Sequence, residues 1–490
     1  MSQVNGTIMQ FFHWYNLSDG SLWNNLTSIA SELANTGFTA VWFPPPYKGQ
    51  GGDKDTGYGV YDLFDLGEFN QKSSTRTKYG NRDQLLDAVK AVQNNGMQAY
   101  ADVVFNHKDG ADEKELVWVQ EMDWNDRNRP ISDWYQINVW TKFNFPGRGD
   151  KYSSVKWHWW HFDTLSYNAD TNSTSKLYRL KDRSYSTEVN HQHGNYDFLM
   201  ACDLDMGEGE VRDELMYWGR WFIDTSGMDG FRLDAVKHIR SSFFRDWLNH
   251  MRAHFGGREL FSFGEYWSGN VADLHHYITQ TSGTMSLFDV PLHYKFHQAS
   301  RMGDNFDMRT IFDGTLLNEQ PTLAVTFVEN HDTQPCQSLE SPVEPWFKPL
   351  AYAIILLRRE GYPCVFYADY YGAEYDNCQP NQPPVKLYSH RFLLDKFMWA
   401  RNAYGYGNQY DYIDHWNTIG WTRLGNSEHP GAMAVIMSNG SEGSKWMEVR
   451  RANATFYDIT GHITDNIYTN NDGWGNFRCK GGSVSVWLQE

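Results

Sequence analysis

Asn81-Arg-Asp-Gln-Leu-Leu-Asp-Ala-Val-Lys-Ala-Val-Gln-Asn-Asn-Gly-Met-Gln-Ala-Tyr-Ala-Asp-Val-Val104 is the stretch that decides the fold. Leu85, Val89 and Val92 fall on one face of a helix predicted over Asn81–Asn95, and Gly96 supplies its stop. The run after it, Met97–Val104, is nearly all apolar, as a strand buried on both faces of a parallel sheet must be. Similar runs occur at Thr7–Phe12, Phe38–Phe43, Met228–Asp234, Leu260–Glu265, Met285–Val290, Leu323–Asn330 and Cys364–Asp369. Helical patterns lie between them, among them Glu210–Thr225 and Trp346–Glu360, the latter stopped by Gly361-Tyr-Pro363. Eight strands alternating with helices predict an α/β protein built on a (β/α)8 TIM barrel.

The spacing is uneven. From Val104 to Met228 the chain runs several times the length of a normal βα unit, rich in Trp, Asp, Asn and Gly. A structureless loop of that size is improbable, so an inserted, irregular β-rich domain is expected over 105–205. Beyond residue 396, short alternating strands with Gly and Asn turns, such as Ala432–Ser438 and Gly482–Leu488, predict a C-terminal antiparallel β-sandwich domain over 397–490. The barrel then comprises 1–104 and 206–396.

The 490 residues carry a net charge of −17, which lowers any nucleic-acid reading, since such binders show a basic face. Aromatic residues make up 16% of the chain, enough to furnish both a core of large plates and a groove that stacks on sugar rings. The cysteines Cys202, Cys336, Cys364, Cys378 and Cys479 are odd in number and scattered without a CxxC pair, indicating neither a disulfide framework nor a zinc knuckle. The opening Met1-Ser-Gln-Val-Asn-Gly6 lacks a basic and an apolar region, so no signal peptide is expected. The longest apolar stretch, around Leu350–Leu357, is far short of a membrane span. A cytoplasmic protein without a membrane partner is expected; a secreted enzyme lacking its signal peptide is the alternative.

Sites in (β/α)8 enzymes lie at the C-terminal ends of the strands. Those ends carry Asp102 and Asn106-His107 on the third strand, Arg232 and Asp234 on the fourth, Glu265 on the fifth and His331-Asp332 on the seventh. A single strand-end acid is more often a helix cap, but a cluster of like charges at one rim is costly without a task. Arg232 and Asp234 are two apart on a strand and point to the same side, and a guanidinium favours the ionised carboxylate, which makes Asp234 the nucleophile candidate. Glu265, between Gly264 and Tyr266-Trp267, faces apolar groups and other acids, and both raise a carboxyl pKa, as a general acid needs. Such a pair suits glycosidic bond cleavage, with Asp332 stabilising positive charge on the sugar or holding its hydroxyls.

Asp102-Val-Val-Phe-Asn-His107, Gly230-Phe-Arg-Leu-Asp-Ala-Val-Lys-His238, Gly264-Glu-Tyr-Trp267 and Phe327-Val-Glu-Asn-His-Asp332 resemble the four ordered signature regions of the α-amylase family, glycoside hydrolase family 13. The chain is most similar to the liquefying-type bacterial enzymes and their intracellular enterobacterial branch. The resemblance implies retaining endo-hydrolysis of α-1,4-glucosidic bonds in starch, glycogen and maltodextrins. It implies Asp234 as nucleophile, Glu265 as acid/base and Asp332 as the third carboxylate. Arg232, His107 and His331 are implied to contact the reacting glucose, with Tyr58 as the platform beneath it and Lys237, His238 and Trp267 on the leaving-group side. It further implies a structural calcium held by Asn106, Asp197, Asp203 and the His238 carbonyl. Asp163 and Asp205 match part of a second cluster of calcium or sodium, but Ser186 and Gly207 stand where that cluster's other carboxylates are expected. The partners are α-glucans and maltooligosaccharides, and the expected state is a monomer.

Two motifs lead elsewhere only weakly. Gly49-Gln-Gly-Gly52 precedes no helical pattern and reads as a loop. His158 and His161 in Trp157-His-Trp-Trp-His161 lack the further spacing of a metal site and read as an aromatic packing or sugar-contacting segment.

Overall fold

In a computed structural model of the chain, which describes residues 5–490, the decisive helix forms over Arg82–Asn94. Its start is a reciprocal cap. Asn81 Oδ1 accepts from the Gln84 amide at 3.0 Å and Gln84 Oε1 accepts from the Asn81 amide at 2.9 Å, satisfying two groups a helix end leaves free. Leu85, Ala88, Val89 and Val92 are buried, and Gly96 at φ +78° turns the chain into the next strand. Met1–Val4, the first part of the stretch read for a leader, lie outside the described residues.

The strands β1 (Ile8–Gln10), β2 (Ala40–Phe43), β3 (Gln98–Val103), β4 (Gly230–Leu233), β5 (Phe261–Gly264), β6 (Ser286–Phe288), β7 (Ala324–Phe327) and β8 (Tyr362–Phe366) close into a barrel in chain order. Its interior is filled by rings packed edge to face. Trp42 meets Phe263 at 5.9 Å, Phe263 meets Phe288 at 5.2 Å and Phe288 meets Phe327 at 5.0 Å between centroids. Much of the aromatic surplus is therefore core. The register sets Arg232 beside Asp102 on one side and Phe263 on the other, so the barrel itself delivers a charged pair to its mouth.

Several expected elements stop short of their sequence bounds, the seventh strand at Phe327 rather than Asn330 among them. The last strand stops at Phe366 rather than Asp369, and Tyr367–Tyr371 is a short helix. Asp369 there is buried and bound by Lys348 Nζ and by the Tyr352 hydroxyl at 2.7 Å, which draw it out of the strand. The helix expected over Trp346–Glu360 is confined to Lys348–Leu357, because Arg358 turns extended and pairs with Asp411 at 2.8 Å. Gly49-Gln-Gly-Gly52 begins on a two-residue strand paired with Val60–Asp62 and ends in a single 3-10 turn, Gly52–Lys54.

After β3 the chain builds a six-stranded antiparallel sheet ordered His107–Lys108, Cys202–Leu204, Phe162–Leu165, Leu177–Leu180, Glu113–Met122, Tyr135–Lys142. Near the C-terminus a second six-stranded antiparallel sheet and the two-stranded antiparallel sheet Gly443–Glu448/Trp474–Cys479 enclose their own core of Ile436, Met447, Phe456, Phe477 and Trp487. No helix among the described residues is long and apolar enough to cross a membrane.

The cysteines correct the sequence reading. Cys336 and Cys378 are joined in a disulfide with Cα atoms 5.6 Å apart, while Cys202, Cys364 and Cys479 are free. The loop after β7 and the hairpin loop beyond β8 lie side by side, a proximity that separation in sequence does not reveal.

Candidate active site

Arg232 is fully buried and organises the barrel mouth. Its Nη1 donates to Asp102 Oδ1 at 2.8 Å and to Asp234 Oδ1 at 2.6 Å, and Nη2 lies 2.9 Å from Glu265 Oε2. One guanidinium can touch Asp234 and Glu265 together only if they are close neighbours, as in retaining glycosidases, where the carboxyls stand about 5–5.5 Å apart. Ala235, immediately after Asp234, has a φ of +49°, a region sparsely used by residues with a side chain. That turn aims the Ala235 amide at Glu265 Oε2, 3.1 Å away.

The acids differ in character. Burial, reinforced by the charges of Asp234 and Asp332 against the opposing pull of Arg232, pushes the Glu265 carboxyl well above its ordinary range. Burial also raises Asp332 to about 7 and Asp102 to about 6. Asp234 holds the most direct contact with the guanidinium and stands as the charge-compensated carboxylate. A carboxyl pushed toward its neutral form thus faces a second carboxyl across one shared cation.

Asp102 is spent on positioning. Besides Arg232 it accepts from Trp42 Nε1 at 3.1 Å and from the Tyr58 hydroxyl at 2.7 Å. The Tyr58 ring lies flat against His331 at 5.0 Å and Trp14 at 5.6 Å, forming an aromatic wall. His107 Nε2 donates to the Tyr58 carbonyl at 2.8 Å. Desolvation holds His331 well below its ordinary pKa, so the ring is neutral. Its Nδ1 then accepts from the Gln10 amide at 3.1 Å, while Nε2 lies 3.2 Å from Asp332 Oδ2 without a hydrogen bond to it.

Tyr58, His107, Asp234, Glu265 and Asp332 line a cavity of about 250 Å³ together with Lys237, His238 and Trp267, whereas Arg232, Asp102 and His331 are buried outside its lining. Lys237 Nζ donates to the Trp267 carbonyl at 3.0 Å, and the His238 ring donates to the Tyr196 carbonyl at 2.7 Å. The cavity opens past Tyr196, Lys237, Trp267 and Leu339 into a groove of about 750 Å³. Trp14, Tyr196, Met200, Ser338 and Leu339 also line the cavity and were not singled out from the sequence. Trp14 follows β1 and is reachable by the strand-end rule; Ser338 and Leu339 carry no signal of that kind.

A second acidic cluster lies in the inserted sheet, where Asp203 pairs with His107 on one side and Thr164 on the other. Ligand oxygens of Asp163, Asp197 and Asp203 lie within 4.8 Å of one another, all buried. Asp163 Oδ1 and Asn106 Oδ1 have no hydrogen-bond partner, and Asn106 Nδ2 donates to Asp203 Oδ1 at 3.0 Å. Crowded hard oxygens, two of them unsatisfied, fit a calcium ion. Asp205 stands apart from the trio, accepting from the Gly207 amide at 2.8 Å with Arg183 Nη1 at 3.3 Å. The Ser186 amide donates to Asp197 Oδ2 at 2.7 Å. His158 and His161 pair with Glu115 and Glu210, a packing role.

A profile of the alpha amylase catalytic domain matches residues 13–396, and one of the alpha-amylase C-terminal domain matches 433–488. The chain is 53% identical to an alpha-amylase of Geobacillus stearothermophilus, over 99% of this chain and 87% of that protein. It is 46% identical to an alpha-amylase of Bacillus licheniformis, over 100% and 94%, and 43% identical to a cytoplasmic alpha-amylase of Escherichia coli K12, over 99% of each. Among solved structures, an alpha-amylase from Geobacillus thermoleovorans complexed with acarbose superposes with a TM-score of 0.64 over 100% of this chain and 97% of that one, at 16% identity.

Proposed function

The chain belongs to the alpha-amylase family, and from that premise we propose how its own residues divide the hydrolysis of α-1,4-glucosidic bonds. Asp234 attacks the anomeric carbon while Glu265 protonates the departing glycosidic oxygen. Glu265, now a base, then takes a proton from the water that releases the glycosyl-enzyme. Asp332, next to His331 Nε2–H, binds the hydroxyls of the distorted sugar. Tyr58 provides the platform beneath that sugar, with Arg232, His107 and His331 around it. Lys237, His238 and Trp267 receive the leaving group. The observation carrying this reading is the single buried guanidinium shared by a direct contact to Asp234 and a close approach to Glu265.

The anomeric form of the first product tests it. NMR of a fresh maltoheptaose digest should show the α-anomer before mutarotation; a β-anomer would exclude a double displacement through Asp234. The groove beyond Trp267 supports internal cleavage of starch, glycogen or maltodextrin chains, because polymer can continue past the reacting sugar.

Asn106, Asp163, Asp197 and Asp203, with the His238 carbonyl, are the proposed calcium holders. The ion would pin the inserted sheet to the barrel and takes no part in bond cleavage. We divide the chain into a barrel (1–104 and 206–396), an insert (105–205) and a C-terminal β-domain (397–490). A monomer is supported by a site assembled within one chain. The 43% identical relative named as cytoplasmic supports that location, whereas the Cys336–Cys378 bond favours the secreted alternative, since disulfides persist in oxidising compartments. Cell fractionation separates the two.

A further inference from the structure

We infer that Cys336 and Cys378 form a thiol–disulfide modification site that sets the position of one wall of the substrate cleft. The inference rests on the reading of the barrel mouth as the α-glucan site. The loop after Asp332 carries Cys336 and then Ser338 and Leu339, both of which line the catalytic cavity. Leu339 also lines the groove beyond it, so this loop borders the passage between the two. The bonded partner, Cys378, lies on an exposed loop of a hairpin beyond β8.

The local backbone depends on being held. Cys336 has a φ of +73°, a region that a residue with a side chain adopts when its surroundings impose it. Besides the disulfide, three polar contacts fix the residue. Its amide donates to Glu340 Oε2 at 2.9 Å, its carbonyl accepts from the Tyr15 hydroxyl at 3.2 Å, and its sulfur accepts from the Cys378 amide at 3.1 Å. The third disappears if the two loops part. Tyr15 is stacked on Tyr375 at 4.1 Å, and the Tyr375 hydroxyl donates to the Pro335 carbonyl at 3.0 Å. The bond therefore locks a small aromatic and loop assembly that extends from the protein surface to Leu339.

Accessibility singles out this pair. Cys364 and Cys479 are buried, and the Cys202 sulfur is directed at the Trp140 carbonyl. Cys378 is exposed and Cys336 partly so, within reach of a small thiol or disulfide. The co-reactant is a low-molecular-weight disulfide of the glutathione type. The Cys378 thiolate attacks it, forming a mixed disulfide and releasing one small thiol. The Cys336 thiolate then displaces the second small thiol and closes the protein bond. Two protein thiols are oxidised, one small disulfide is reduced to two thiols, and the protons of the protein thiols pass to the released thiolates.

The test uses the full-length protein with oxidised glutathione or dithiothreitol. Peptide mapping after alkylation should recover a cross-linked Cys336–Cys378 peptide only from the oxidised sample. Reduction should raise KM for soluble starch by about threefold or more and alter product sizes while kcat stays within about twofold, because the wall moves and the reacting carboxylates do not. Oxidised glutathione should restore both values. The C336S/C378S variant should resemble reduced wild type and respond to neither reagent. Amide hydrogen exchange across 333–340 should quicken on reduction. Absence of the cross-linked peptide after oxidation overturns the proposal, as do an unchanged KM and product pattern in samples whose bond is shown to differ. Hydrolysis of a short chromogenic maltoside, run in parallel, reports on the active-site reading alone, so failure there is distinguishable.

Discussion

Two buried clusters of carboxylates face different problems in this chain. At the barrel mouth, Asp102, Asp234 and Glu265 surround Arg232, a cation supplied by the fold and fixed by β-strand register. In the inserted sheet, Asp163, Asp197 and Asp203 crowd together, and among the described residues no Lys or Arg nitrogen lies within 4.0 Å of them. Burial raises the carboxyl pKa strongly in both places, as it does for Glu265 and for Asp203. The difference lies in the neutralising charge. The first cluster carries its own cation; the second has none within ion-pair distance among the described residues, which is why it is the proposed calcium site.

The largest expected effects break the first cluster. Asp234→Asn removes the proposed nucleophile and Glu265→Gln the proposed proton donor. Each should lower kcat on soluble starch by about 10³-fold or more, measured by reducing ends. Glu265→Gln should leave the melting temperature unchanged or higher. A carboxyl whose folded pKa is raised costs the fold stability as pH climbs above its unfolded pKa toward the folded one, and the neutral amide removes that cost. A variant that keeps wild-type turnover would break the assignment of the first cluster to chemistry.

Breaking the second cluster should reverse the pattern. Exhaustive chelation should lower the melting temperature, since an ion present at about a thousandfold over its dissociation constant stabilises the bound fold by about 4 kcal/mol. Asp203→Asn should lower the melt in calcium and make it insensitive to chelator. Scanning calorimetry of both proteins with and without calcium decides this. If chelation leaves the wild-type melt in place, the second cluster is neutralised by something other than a metal, and the contrast with the first disappears.

A subtler change tests the electrostatics of the first cluster. The Asp332 charge is one of the contributions raising Glu265. Removing it with Asp332→Asn should lower the Glu265 pKa. Since Glu265 must be protonated to act as the acid, the alkaline limb of the kcat/KM profile should move toward lower pH, by about half a unit to one unit. A limb that stays in place on the weakened activity would show that another group controls it.

The barrel was legible because its signal is local. Each strand is a short apolar run, and each ends beside the residue that faces the mouth, as Leu233 does beside Asp234. The same rule applied to β1 points toward Trp14, which follows it by a few residues and lines the cavity. Tertiary proximity was not legible. Nothing in the spacing of Cys336 and Cys378 indicates that their loops touch. Asp369 reads as the end of a strand because its partners, Lys348 and Tyr352, sit on a helix packed against it. The metal cluster is intermediate. Asp203 is placed next to the Asp163 strand by sheet register, which the local pattern does not encode; the resemblance implies Asp197 with Asp203 but sets Asp163 with Asp205, whereas the structure brings Asp163 to the first pair.

The smallest effect concerns Arg183, where the protein brings its own cation to the edge of the second cluster. Its Nη1 lies 3.3 Å from Asp205 and 2.9 Å from Glu208, with the side chain partly exposed. Partly exposed pairs of this kind contribute about 0.2–1 kcal/mol, so Arg183→Gln should shift the melt only slightly in calcium. The informative readout is stoichiometry. Arg183 pairs with Asp205 more loosely than Arg232 pairs with Asp234, and the nearby cation makes that carboxylate a poorer ligand for a second ion. Calcium titration of wild type by calorimetry should therefore show a single tight site on the Asp163–Asp197–Asp203 trio. Arg183→Gln should keep that site and add at most a weak one near Asp205. Two tight sites in wild type would mean that this guanidinium does not substitute for a metal, and that only the barrel mouth carries its own cation.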